Sequence, residues 1–224
     1  MTTDTVDLIA GVTPALDALR RRRPVTREQL QASFDALFRP VSVQHVSQAE
    51  RELVAAFATA LTAPGDSAAA GDPTVAGDPT AAFYADRARK ADPVRAAAVL
   101  AEAEAVATPG PFGAYRELGL HDESTDGPRY TPGDGATAAL GERLAAALAH
   151  AHLLVLRPRE ASGADLGRLL DAGWSPDGIV TLSQLVSFLA FQQRVVSGLR
   201  VLDAAGLADD TAPTGASGAE EVAA

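Results

Sequence analysis

Apolar residues along this chain recur at helical rather than strand spacing. Residues 6 to 23 form a first amphipathic segment. The stretch "VTREQL" then predicts a helix start, with Thr26 as N-cap, Gln29 closing a capping box and Val25 stapled to Leu30, and a helix running to about Phe38 before Pro40 breaks it. "SQAERELVAAFATAL" predicts a second start at Ser47, with Glu50 three positions on and Leu53, Phe57 and Leu61 on the apolar face. "AAFYADRARKA" and "DPVRAAAVLAEAEAVA" keep helical spacing, the latter with Asp92 and Pro93 at its cap and first turn.

"ATAALGERLAAALAHAHLLVL" reads as a further helix. Ser162 and Asp165 cap the short segment that follows, Gly173 ends it, and Ser175 with Pro176 opens the last and most apolar helix. From Ile179 to Leu202 apolar residues occupy most of that helix's circumference, which predicts burial on several sides and, in a chain this small, a homo-oligomer. No run alternates long enough for a strand, so the expected fold is all-α.

Between these helices, residues 64 to 80 carry the tetrapeptide GDPT twice and read as a flexible insertion, and residues 204 to 224 read as a disordered tail of small and polar residues. Residues 108 to 136 are dense in Gly and Pro and read as a long loop, yet they hold Phe112, Tyr115 and Tyr130 in a chain only 5% aromatic. Such rings either form a ligand lid or pin the loop to the helices. The division expected is an N-terminal helical extension over residues 1–37, a helical domain over 38–203 and the tail.

Composition narrows the chemistry. A net charge of -10 disfavours nucleic acid and an anionic membrane surface as partners, since both demand a basic stripe, and the Arg20–Arg23 run suits a helix C-terminus. No basic-then-apolar leader opens the sequence, which predicts a cytoplasmic chain with no membrane association. The sequence contains no cysteine, which removes disulfides, thiolate metal sites and thiol catalysis together. The four histidines include no pair at the spacing that places two imidazoles on one helix face, so no metal site is expected. His152 falls near the apolar stripe of its helix, where a packed histidine is the simpler reading, and His150 points about 200° away from it, two residues at about 100° each. The glycines and serines match no nucleotide-binding loop and no nucleophile elbow, and no cofactor is expected.

"ERELVAAFATAL" at residues 50–61 and "LLDAGWSPDGIVTLSQLVSFLAFQQRVVSGL" near the C-terminus together resemble the alkylhydroperoxidase AhpD and carboxymuconolactone decarboxylase (CMD) superfamily over roughly residues 38–202. The resemblance rests on an ordered set of parts: an R-E-L-x-A helix, a helix ending before Pro, a short helix, a Gly-x-Ser cap and a long final helix. It implies an AhpD-like helical domain. It also implies that Glu52 matches the family's proton-relay glutamate, and that the family's C-x-x-C-x-x-x-H positions fall on Pro64, Ser67 and Gly71. If the GDPT stretch is an insertion, the former site is instead surrounded by Tyr84, Asp86 and Arg87. Neither alignment restores a dithiol.

Two functions follow from the resemblance. One is a non-peroxidatic small-molecule-binding or accessory protein. The other is a cysteine-independent CMD-type enzyme acting on a lactone or similar carbon acid, with Glu52 as base and a histidine or tyrosine as partner. Glu52 also lies in a first helical turn, where acidic residues favour the helix dipole for structural reasons alone. Arg194, in the last helix, needs a carboxylate partner if buried, and Glu52 is a candidate. The possible pocket thus comprises Tyr84, Tyr115, Tyr130, His150, His152 and Arg194.

A serine or proline cannot cycle through a disulfide, so dithiol-dependent peroxide reduction is expected to be absent. With cumene hydroperoxide and a dithiol reductant, peroxide consumption by the protein is expected to match that of buffer. Turnover above buffer would refute the reading.

Overall fold

The computed structural model describes residues 4–62 and 77–206. Pro64, Ser67, Gly71 and the remainder of 63–76, like residues 207–224, lie outside the described residues. Of the expected insertion, residues 77–80 instead begin a helix, with Asp78 as its N-cap accepting from the Thr80 N–H at 2.7 Å.

The described residues are all-α, with one isolated bridge between Gly113 and Thr125. The helices are α1 (Thr5–Ala10), α2 (Pro14–Arg21), α3 (Pro24–Phe38), α4 (Gln48–Ala60), α5 (Pro79–Ala91), α6 (Pro93–Val106), α7 (Asp134–Leu140), α8 (Glu142–Leu156), α9 (Gly163–Asp171) and α10 (Pro176–Ala204). Short 3-10 turns occupy Leu118–Glu123 and Pro158–Glu160.

α4 is the central element. It packs most extensively on α5, and also on α6, α10 and α8, and every residue from Arg51 to Thr59 is buried. Its start is the expected capping box: the Glu50 N–H donates to Ser47 Oγ, while Glu50 Oε2 accepts from the Ser47 N–H at 2.8 Å. Leu53, Phe57 and Leu61 are all fully buried. α10 contacts α4, α8, α1, α3, α9 and α5, which accounts for apolar residues spread around so much of it. It is the one described helix long and apolar enough to cross a bilayer, but 44% of its most apolar window is buried within the protein. α1, α2 and α3 add Val6, Ile9, Leu16, Leu30 and Phe34 to the same core as the later helices.

One local expectation is refined and two are corrected. The segment over 6–23 is two helices, because Gly11 sits at φ +67° and ends α1. α3 begins at Pro24 rather than Thr26: Pro at the first helical position lacks an N–H that would be orphaned there anyway, and Val25 is left exposed instead of stapled. The helix expected over 136–156 is two, α7 and α8, meeting at 117° where Gly141 takes φ +80°, a conformation that β-carbon-bearing residues avoid.

The Arg20–Arg23 run does end a helix, as expected, and Arg20 turns inward to pair with Asp4 and Asp7. The loop between α6 and α7 is held by packing. The Phe112 N–H donates to the Leu156 carbonyl at 2.6 Å, and its ring lies flat on Gly127, where a β-carbon would come within 2.2 Å of it.

Candidate functional site

Of the sequence-predicted residues, Glu52 and Tyr84 lie where α4 meets α5, Tyr130, His150 and His152 line a cleft over α8, and Tyr115 and Arg194 lie apart from both. On the α5 side, Glu52 is buried and its carboxylate is gripped in a two-pronged ion pair by Arg87, Nε to Oε2 at 2.7 Å and Nη2 to Oε1 at 2.5 Å. Gln48 Nε2 adds a hydrogen bond to Oε1 at 2.6 Å. The Arg87 guanidinium lies among the rings of Phe34, Phe38 and Phe83, each centroid 5.2 to 5.5 Å from it. The apolar walls weaken competition from water for the pair, and the two-pronged geometry satisfies both oxygens.

Tyr84, three residues before Arg87 on α5, is fully buried. Its hydroxyl donates to Gln192 Oε1 at 2.6 Å, and burial pushes its pKa well above the ordinary tyrosine value. Arg194, the candidate cation for Glu52, is instead exposed on α10 and donates to the Ala190 carbonyl. Both oxygens of Glu52 are committed, and Glu52 borders neither of the two clefts described below. This half of the site is built as a structural clamp between α4 and α5.

Over α8, Tyr130, His150 and His152 line one cleft of about 660 Å³. Its floor is the outer face of α8, where Ala146, Ala149 and Leu153 follow one another at helical spacing. The two alanines are too short to fill the space between α9 and the 129–132 segment, and that shortfall is the cleft. His150 stands on the α9 side and His152 on the Tyr130 side.

Both imidazoles are more than nine-tenths buried. His150 Nε2 meets Ser183 Oγ at 3.1 Å, and that hydroxyl itself donates to the Ile179 carbonyl at 2.9 Å. Ser183 must therefore accept from Nε2–H, which leaves His150 Nδ1 a bare acceptor. Among the described residues His150 Nδ1 and His152 Nε2 have no hydrogen-bond partner. Burial lowers the pKa of both, against the opposing pull of Asp165 at His150. For His152 burial and the nearby Arg157 cation bring it down to about 4, so both rings are neutral at pH 7.

Tyr130 ties the long loop to the core. Its ring packs on Phe57 and on His152, each at 5.5 Å between centroids, and its hydroxyl donates to Glu102 at 2.7 Å. Burial and the Glu102 carboxylate raise its pKa, so it stays a neutral donor. It pins the loop to the core and forms part of the cleft wall. Tyr115 lies apart, with Arg159 stacked over its ring at 4.2 Å.

Sequence reasoning missed the charged walls. Arg157 reaches both oxygens of Glu160 at 2.6 and 2.7 Å and donates to the Gly127 carbonyl, and these hydrogen bonds draw the Glu160 pKa down to about 2. Arg168 pairs with Asp165. An "RPRE" turn after a helix is the only trace of this network in the sequence.

A second, shallower recess of about 400 Å³ lies at the start of α10, beside His45, Ser47, Glu50 and Ser175. Arg143 fills its base. It pairs with Glu50 at 2.7 Å, donates to the Gly173 and His45 carbonyls, and stacks on Trp174 at 3.7 Å. His45 Nδ1 meets Ser175 Oγ at 2.9 Å, but that oxygen also caps α10 by accepting from the Gly178 N–H. No group of three or more metal-ligating side chains occurs among the described residues. Comparison with family models, with curated proteins and with solved structures gives no match.

Removing Arg87 strands a buried carboxylate. Arg87→Ala is expected to lower unfolding stability by about 3 to 5 kcal/mol, whereas Arg89→Ala, in an exposed pair with Asp86 on the same helix, should change it by less than about 0.5 kcal/mol. Urea denaturation of both variants measures the contrast, and equal small losses would show the clamp to be unimportant.

His152 sets a pH dependence of definite sign. Above its unfolded pKa, about 6.5, the ring is neutral in both states. Between that value and the folded value of about 4 the unfolded chain binds the proton first, so stability falls with falling pH. The slope contributed is at most about 1.4 kcal/mol per pH unit. Unfolding at pH 7.5 and 4.5 should show a smaller loss in His152→Leu than in the wild type, and parallel losses would contradict the assignment.

Proposed function

We propose that this chain is a small-molecule-binding protein of the AhpD/CMD-like helical class that has dispensed with the redox dithiol, and that its ligand occupies the cleft over α8. The observation that carries the proposal is the cleft itself, where Tyr130, His150 and His152 stand around a floor left open by Ala146 and Ala149. The cleft volume of about 660 Å³ suits a small organic molecule.

The lining indicates what kind. Arg129, Arg157 and Arg168 are balanced by Glu142, Asp165 and Asp171, so the walls favour neither an anion nor a cation. Tyr130, Pro132, Leu153 and Leu169 supply apolar surface. A compact, uncharged, cyclic molecule fits this set. The likeness to the AhpD/CMD superfamily is supported by the order of elements: α8 ends at Leu156 just before Pro158, α9 is short, and Gly173, Trp174 and Ser175 lead into the long α10. A decarboxylase-type enzyme with Glu52 as base draws no support from the geometry, because Arg87 and Gln48 already hold its oxygens.

A thermal-shift screen of uncharged cyclic compounds, with carboxylates and amines for contrast, tests the reading, since stabilisation follows occupancy. Uncharged hits are expected. Ala149→Phe, which fills the floor, should weaken them at least ten-fold, and Tyr115→Phe should bind them as the wild type does. An empty screen, or hits indifferent to Ala149→Phe, would reject the cleft as the ligand site.

A further inference from the structure

α10 buries most of its circumference but leaves one stripe bare along its length. Asp177, Val180, Gln184, Ser187, Phe191 and Arg194 recur at alternating steps of three and four residues, and all are exposed. The stripe continues through Gly198 to Val201. Its large apolar members are 55% (Val180), 50% (Phe191) and 64% (Val201) exposed. A mean spacing of 3.5 residues keeps one face turned toward a partner helix over many turns, which is the spacing of helices that pack side by side. What sets this face apart from an ordinary solvated one is its large apolar side chains, which a partner helix would cover.

We infer that the stripe is the contact between two copies of this chain, which pair α10 against α10 antiparallel about a two-fold axis passing between Leu185 and Val186. The argument is self-complementarity. A two-fold contact must match one surface with itself, so each residue on one copy faces a fixed residue on the other. With the axis at that point, Asp177 faces Arg194 of the second copy, Val180 faces Phe191 and Gln184 faces Ser187, each relation occurring twice. Opposite charges meet at both ends, a small side chain meets a longer one at the centre, and aliphatic meets aromatic between them.

A parallel pairing of the same stripe would instead set Asp177 beside Asp177 and Arg194 beside Arg194, so charge selects the antiparallel arrangement. The groups are free to do this. Asp177 has its side chain 79% exposed, with only a 3.6 Å approach from His45, and Arg194 has no carboxylate partner among the described residues. The contact is independent of the cleft over α8, which lies on other faces of the fold.

The test is sedimentation equilibrium or light scattering on the full chain between 1 and 100 µM, with circular dichroism confirming helix content in every variant. The wild type should associate as a dimer, and Asp177→Arg or Arg194→Asp alone should weaken association at least ten-fold, since each sets like charges opposite at both ends. Mixing these two variants in equal amounts restores opposite charges at both ends, and the mixed dimer should recover to within a few-fold of wild-type affinity. A monomeric wild type at 100 µM overturns the inference. So does association of any order that ignores the charge reversals, or a mixture that fails to recover.

Discussion

Burying α4 on every side obliges the fold to satisfy two adjacent charges with no help from bulk water. Arg51 and Glu52 both lie within the run of α4 that is closed off from solvent. Arg51 is met by the backbone, donating to the Leu37 carbonyl at 2.7 Å and the Val46 carbonyl at 3.2 Å, which fixes the chain as it leaves α3 and enters α4. Glu52 is met by Arg87 and Gln48, which fixes α5 against the other face. The burial of one helix therefore dictates where α3 ends and where α5 docks. Leaving either charge unmet would cost several kcal/mol, a large share of the stability of a domain this size.

The same helix reaches the cleft through Phe57, whose ring supports Tyr130. Tyr130 supports the long loop and closes against His152, and the Arg157–Glu160 pair holds the loop from below through the Gly127 carbonyl. The cleft walls are thus set by packing, while its floor is set by omission, with Ala146 and Ala149 standing where larger residues would have closed the gap between α9 and the loop. Walls placed by packing and a floor of short side chains together make a recess of a size that suits a small organic molecule.

Glu52, the acidic residue of the R-E-L segment, is committed on both carboxylate oxygens to Arg87 and Gln48. In this arrangement Glu52 holds helices together, and the proposed ligand site lies apart from it, over α8. The two halves share the core through Phe57 and Leu53 without sharing chemistry.

Local and compositional features were legible in the sequence by itself. The all-α class, the caps at Ser47, Ser162 and Ser175, and the exclusion of thiol chemistry all depend on residue content or on contacts spanning three or four positions. Local signals failed where a stronger local preference was present: Pro24 took the helix start from Thr26, and Gly141 split α7 from α8. The Glu52 partner was not legible, because Arg87 is 35 residues away and Arg194 was an equally charged alternative that only packing could send outward. Nor could spacing bring His150 and His152 to one cleft, since two residues 200° apart on a helix meet a common space only when the walls beside them are built from α9 and the Tyr130 loop. The sequence settled which residues could form helices and which reactions were unavailable; the tertiary structure decided which charges met and where space was left, because both depend on distances between elements that no local preference encodes.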